Sequence, residues 1–449
     1  MIKKRIILLF FLSHQLCAFS STYYVATNGN DVNAGSITSP FSTIQRAQKA
    51  VAPGDTVYVR GGTYVMSESQ IAMMSRIWAY VTYLDKSGTS GKLINYWAYP
   101  GETPVFDYSN VKPAGCRVHA FQIMGSWIYI KGIEVTGVQV TILTHTQSEC
   151  FEVQGSNNIL EGLKMHNGMG IGVYLIKNAA GNLILNCDAY ENWDNVSEDK
   201  LGGNTDGFGC HVSADGTGNV FRGCRAWFNS DDGYDLIHAY APVTFDHCWA
   251  FYNGYSASFA RLANGNGFKA GGYGVKNVTP PDPSPKHTIE FCLAVRNKAS
   301  GFYANHHTGG CNWYNNTAYL NSSNYNMLNV TYNSSDNTVT NVPGYGHKMR
   351  NNLGYKGGTE ITNLDQTKSD VAFNYFTLNV TITDHDFLSL DLSLLTAPRQ
   401  PDGSLPVNNF MKLASGSDLL NAGQNIGFPY SGTAPDLGCF QTTFTNQPK

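Results

Sequence analysis

Apolar residues recur along this chain in short runs, such as Asn219-Val220-Phe221-Arg222 and Val243-Thr244-Phe245, broken by Gly and Asn. The stretches between them show no 3.6-residue periodicity of the kind that specifies a helix. Runs of this length between turn residues read as strands. The punctuation itself repeats. Asn167, Asn192, Asn229, Asn253, Asn297 and Asn321 stand 24 to 44 residues apart, and five residues before each lies Gly162, Cys187, Cys224, Cys248, Cys292 or Asn316. A unit of about two dozen residues, twice lengthened by insertion, means stacked supersecondary units. Strand-only content makes the expected fold all-β: a right-handed parallel β-helix. Stacking turns spacing into distance, because equivalent residues on successive coils lie about 4.8 Å apart.

The pattern changes at both ends. Thr22-Tyr23-Tyr24-Val25 predicts a first strand, Thr43 to Ala52 a short helix with Ile44, Ala47 and Val51 on one face, and Thr56-Val57-Tyr58-Val59 a return to strand. Such a helix would cap the open edge of the solenoid. The chain therefore divides into a leader (1–20), an N-terminal cap with first coils (21–91), a body (92–345), and last coils with a C-terminal cover (346–449), all in one structural domain. The cover includes Asp418-Leu419-Leu420-Asn421-Ala422-Gly423 and Asp436-Leu437-Gly438-Cys439. Two insertions, Asn195 to Asn204 and Ser256 to Gly265, interrupt the repeat, and loops on a regular scaffold are natural places for a binding site.

Composition narrows the function. The 449 residues carry a formal net charge of −3, and Gly (46) and aromatics (12%) are abundant. Neither a basic stripe nor a basic tail is present, which argues against nucleic acid as a partner. Lys3-Lys4-Arg5, the apolar run Ile6 to Leu12 and Ala18-Phe19-Ser20 before Ser21 form the pattern of a secretory signal peptide, too short to span a membrane. The residues before Cys17 fit a lipid-anchor motif poorly. A secreted, soluble monomer without a membrane span is the expectation. Four of the cysteines share one repeat position and read as buried free thiols, whereas Cys116 and Cys150 lie outside the ladder and could pair.

A second register carries the chemistry. Asp206-Gly207-Phe208-Gly209, Asp232-Gly233-Tyr234-Asp235, Asn266-Gly267-Phe268-Lys269 and Ser300-Gly301-Phe302-Tyr303 align as four successive coils. Phe208, Tyr234, Phe268 and Phe302 should stack, and Asp206, Asp231, Asp232 and Asp235 should converge beside Lys269. Four carboxylates in register would repel one another and call for a cation. An all-oxygen set without His or Cys suits Ca²⁺ rather than zinc. Each Asp alone is an ordinary turn residue; it is the register that singles out the group. Lys269 takes the place of a carboxylate in the file. It is a base candidate if it loses its proton, and otherwise a surface lysine paired with Asp235.

Here the chain resembles the family 9 polysaccharide lyases, exported parallel β-helix enzymes that cleave pectic polymers. The matching residues are Asp206-Gly207-Phe208, Gly218 to Cys224, Asp231 to Leu236, Asn264 to Lys269 and Asn315-Asn316-Thr317-Ala318-Tyr319. The resemblance implies calcium held by Asp206, Asp231, Asp232 and Asp235, Lys269 as catalytic base, and β-elimination on an acidic pectic polysaccharide, either homogalacturonan or rhamnogalacturonan. Arg261, in the insertion just before Lys269, is a candidate clamp for a substrate carboxylate. Two stretches depart from the family pattern. Gly209-Cys210-His211 stands where members acting on pectate often carry a lysine, and Phe302 to His307 is unusual. Two other readings compete: a polygalacturonase-like hydrolase using paired aspartates, and a noncatalytic glycan-binding β-helix.

Overall fold

The computed structural model describes residues 20–273, 280–333, 335, 336 and 338–442. Residues 1–19, with nearly all of the expected leader, lie outside them. Short strands wind into three long sheets of 12, 10 and 11 strands, each strand hydrogen-bonded to its equivalent one coil away and almost always parallel to it. Among the described residues no helix is long and apolar enough to cross a membrane.

The N-terminal strands and helix form where the sequence places them. Thr22–Val25 pairs in parallel with Thr56–Val59, and the helix Ile44–Ala50 lies between them in the chain. Thr43 caps that helix by accepting from the Arg46 amide at 3.0 Å, and Ile44, Ala47 and Val51 face the core.

Among the polar ladders inside the solenoid, two lie at the repeat's marker positions. The side-chain amides of Asn192, Asn229, Asn253 and Asn297 each donate to the side-chain oxygen of the next asparagine, ending at Asn321, at 3.0–3.1 Å. Each also donates to a main-chain carbonyl of the preceding coil. Buried polar groups demand such pairing, so a rung is hard to replace. Asn167 is not a rung. It is exposed, and the Asn192 oxygen instead accepts from the Gly168 amide. The pairing of Asp188 with Lys164 places Leu163, not Gly162, opposite Cys187. The expected repeat was thus one residue out at its first coil. The second ladder stacks Cys187, Cys224, Cys248 and Cys292, all fully buried. Cys116 and Cys150 are free thiols as well.

Aromatic rings fill the wall of the third sheet. Phe208, Tyr234, Phe268, Phe302 and Tyr325 form one continuous stack, with centroids 4.6–5.1 Å apart and ring planes within 16° of parallel. The C-terminal cover is tied to the body by Asp188, which binds both Arg225 and Arg399. The Cys439 amide donates to the Thr317 hydroxyl at 2.9 Å.

Candidate active site

The outer face of the third sheet gathers the chemistry, for a local reason. In Asp232-Gly233-Tyr234-Asp235 the two middle residues both turn inward, so the two flanking carboxylates both turn outward. Gly233 permits this. A Cβ there would lie 2.7 Å from the Gly267 carbonyl oxygen and 2.8 Å from the Asn253 amide nitrogen, so the asparagine ladder backs directly onto the site strand. Asp235 pairs in register with Gly209 on one side and Lys269 on the other.

Asp206, Asp232 and Asp235 each place a carboxylate oxygen within 4.8 Å of the others. The column of first positions is stitched by the backbone: the Asp232 amide donates to Asp206, the Asn266 amide to Asp232 and the Ser300 amide to Asn266. Asp231 stands at the edge of the group, with its Oδ1 accepting from the Asn264 amide at 2.9 Å. Its own amide donates to the carbonyl of Thr205, the residue after the first insertion. Lys269 reaches into the cluster, its Nζ 3.0 Å from Asp235 Oδ2 and 3.2 Å from Asp232 Oδ2. The latter oxygen is buried and, despite the ion contact, accepts no well-aligned hydrogen bond.

The charges are frustrated. Burial, then Asp231, Asp235 and Asp232, push the Asp206 carboxyl well above its usual range. Burial and Asp232 raise Asp231 to about 8. Burial also raises Asp232, against the pull of Lys269. Burial opposes ionisation of Asp235 too, but Lys269 and the Ile237 amide outweigh it and hold it low. Desolvation would free the Lys269 proton, yet the four aspartates override it and hold the ammonium tightly. One lysine cannot neutralise four buried carboxylates. The missing positive charge, the all-oxygen donors and the unmatched Asp232 Oδ2 fit a hard divalent cation such as Ca²⁺.

The remaining predicted residue falls elsewhere. Arg261 is exposed on its insertion, and its charge acts on Lys298, whose Nζ donates to Leu262 O at 2.6 Å. Arg261 is not among the residues that meet in the cluster. Two neighbours that the sequence marked only as departures from the family pattern, without a role, join the site. His211 sits beside the cluster, Nε2 3.9 Å from Asp235 Oδ2 and Nδ1 2.9 Å from the Tyr174 hydroxyl; burial lowers it to about 4, so it is neutral. Tyr303 follows Lys269 in register on the next coil. The signal for Tyr303 was present, as it closes the fourth aligned motif. For His211, the signal was the missing lysine at Gly209-Cys210-His211, which marks the stretch but gives the histidine no role. Gly209 leaves no room for a side chain, because a Cβ would meet the Tyr174 ring at 2.8 Å.

Comparison with known proteins bears directly on this geometry. The family described as Pel9A-like, right handed beta helix region, matches residues 23–356. Pectate lyase L of Dickeya dadantii (strain 3937) is 34% identical over 427 residues, covering 93% of this chain and 90% of that protein. A solved structure titled rhamnogalacturonan lyase superposes with a TM-score of 0.84 at 43% identity, covering 88% of this chain and 97% of the other. The crystal structure of pectate lyase Pel9A gives a TM-score of 0.75 at 34% identity, covering 94% and 97%.

Proposed function

The chain belongs to the Pel9A-like right-handed β-helix family and is a polysaccharide lyase, and from that premise we propose that it is a secreted, Ca²⁺-dependent rhamnogalacturonan lyase that uses Lys269 as its base. The observation that carries the reading is the placement of Lys269 Nζ among the in-register aspartates. β-Elimination removes the C5 proton of a uronate. The C–H electrons form the C4=C5 double bond, and the bond from C4 to its glycosidic oxygen breaks. That oxygen then takes a proton from water. Ca²⁺ held by Asp206, Asp231, Asp232 and Asp235 would neutralise the uronate carboxylate and offset the field that keeps Lys269 protonated. Lys269 receives the proton, and Asp235 and Asp232 fix its Nζ in place. Tyr303 pairs in register with Lys269 on the next coil and is our candidate for a sugar contact.

Substrate choice follows from the next coil in the other direction. With Gly209 against Tyr174 and a neutral His211, that position offers no cation for a second uronate. An alternating polymer, with a neutral deoxy sugar beside each galacturonate, matches it better than homogalacturonan. The greater similarity to the rhamnogalacturonan lyase structure than to Pel9A points the same way. The residue pattern of the leader supports secretion.

Incubating the purified protein with rhamnogalacturonan and with homogalacturonan, with Ca²⁺ or chelator, tests this by ultraviolet absorbance. Absorbing unsaturated product from rhamnogalacturonan is expected. Absorbance from homogalacturonan alone would overturn the substrate, and new reducing ends without absorbance would overturn the reaction.

A further inference from the structure

The metal-like arrangement occurs twice on the same sheet face. In His119-Ala120-Phe121-Gln122 and Glu149-Cys150-Phe151-Glu152 the middle pair again enters the core while the flanking residues face out. This is the pattern of Asp232-Gly233-Tyr234-Asp235. The coil register makes the two sets equivalent positions. Glu152 pairs with Tyr174, Tyr174 with Gly209 and Gly209 with Asp235. Glu149 pairs with Ile171, and the following residue, Gly172, bonds to the Asp206 carbonyl. Glu149 and Glu152 are therefore the counterparts of Asp232 and Asp235, three coils earlier.

The side chains converge. His119 Nε2 lies 2.8 Å from Glu149 Oε2, and its Nδ1 3.2 Å from Glu152 Oε2. One ligand atom from each of the three lies within 4.8 Å of the others. Gln122 joins them by donating to Glu152 Oε1 at 2.9 Å. All are sealed from solvent: His119 and Gln122 are 0% exposed, Glu149 1% and Glu152 4%. Despite these short contacts, both His119 nitrogens, Glu149 Oε2 and Gln122 Oε1 lack a well-formed hydrogen bond. Buried polar atoms in a native protein are rarely left so. A cation shared by one imidazole nitrogen, Glu149 Oε2 and Gln122 Oε1 would satisfy those three atoms, and Asp232 Oδ2 is left likewise unpaired in the first cluster.

We propose that His119, Glu149 and Glu152 form a second metal site, separate from the aspartate cluster, that takes a first-row divalent cation such as Zn²⁺ or Mn²⁺. One imidazole with two carboxylates is a borderline donor set, unlike the all-oxygen set a calcium ion prefers. Two glutamates and a neutral imidazole balance a divalent charge, and the Gln122 carbonyl completes the set. The competing occupant is a proton on His119, which would make the group an internal ion triad.

Metal binding to the chelator-stripped full-length protein, held in excess Ca²⁺, distinguishes the two. Zn²⁺ titrated by calorimetry should bind tightly at one equivalent and raise the thermal midpoint. Glu149→Gln and Glu152→Gln should each abolish that uptake, and Asp232→Asn should keep it. X-ray absorption of the zinc-loaded wild type should show a single imidazole nitrogen among oxygens at about 2.0–2.2 Å. Absence of stoichiometric Zn²⁺ and Mn²⁺ uptake by the wild type would overturn the site. Uptake unchanged in both glutamate variants, or a zinc shell of several imidazoles, would also overturn it.

Discussion

Lys269 stands one coil beyond Asp235 in exact register, and its Nζ lies 3.0 Å from the Asp235 carboxylate. The contact fixes where the amine points and, through the surrounding aspartates, whether it is charged. A residue so placed can serve the reaction only through its own nitrogen. Lys269→Ala should therefore lower turnover by about 10²–10⁴-fold, the usual worth of a general base, while substrate binding persists. Lys269→Arg should not rescue it, because a guanidinium stays protonated. The check is the rate of unsaturated product at saturating substrate, and retention of more than about a tenth of the wild-type rate would assign the base elsewhere.

Asp232 is fully buried at the centre of the cluster. Asp232→Asn keeps an oxygen for the Asn266 amide but removes a charge, so the stacked coils should survive. Activity should fall about 10²-fold or more, the scale of losing one electrostatic stabiliser, with a β-type circular dichroism spectrum unchanged. Ca²⁺ added back after chelation should restore the wild type and not the variant. Full wild-type activity in chelator would remove the metal from the reaction.

Asn253 joins the fold to the site. It accepts from Asn229, donates to Asn297 and to the Ala226 carbonyl, and packs under Gly233. Asn253→Ala leaves several buried partners unpaired, at about 1–3 kcal/mol each. A clear drop in thermal midpoint is expected, with lower activity at temperatures where the variant is still folded. A midpoint equal to wild type would show that the ladder is dispensable.

Glu290 supplies a pH dependence away from the site. Burial, then Asp246 opposite it in register, raise its carboxyl from 4.5 to about 7, with His247 and Arg222 opposing. Between those values the folded protein holds a proton that the unfolded chain has released. Its contribution to stability therefore falls as pH rises from about 4.5 to 7 and is level above. Glu290→Gln should raise the thermal midpoint at pH 8 and leave it unchanged near pH 4. An equal shift at both pH values would rule out titration as the cause.

The coil length, the aromatic stack and the convergence of Asp206, Asp232 and Asp235 on Lys269 were legible in the sequence, because a solenoid repeats one local conformation and turns aligned motifs into neighbours. The N-terminal strands and helix were legible for a different reason: Thr43 and the apolar face of the helix are local signals. The one-residue slip at Asn167 shows the limit of that logic, since a repeat without a full set of markers can be aligned two ways and only hydrogen bonding selects one. The exposed position of Arg261, the neutral state of His211 and the meeting of His119 with Glu149 and Glu152 were decided by tertiary structure. Insertions have no repeat to place them, a proton's affinity depends on burial and on charges from other coils, and paired residues turning inward together break the simple alternation by which a strand's faces are read.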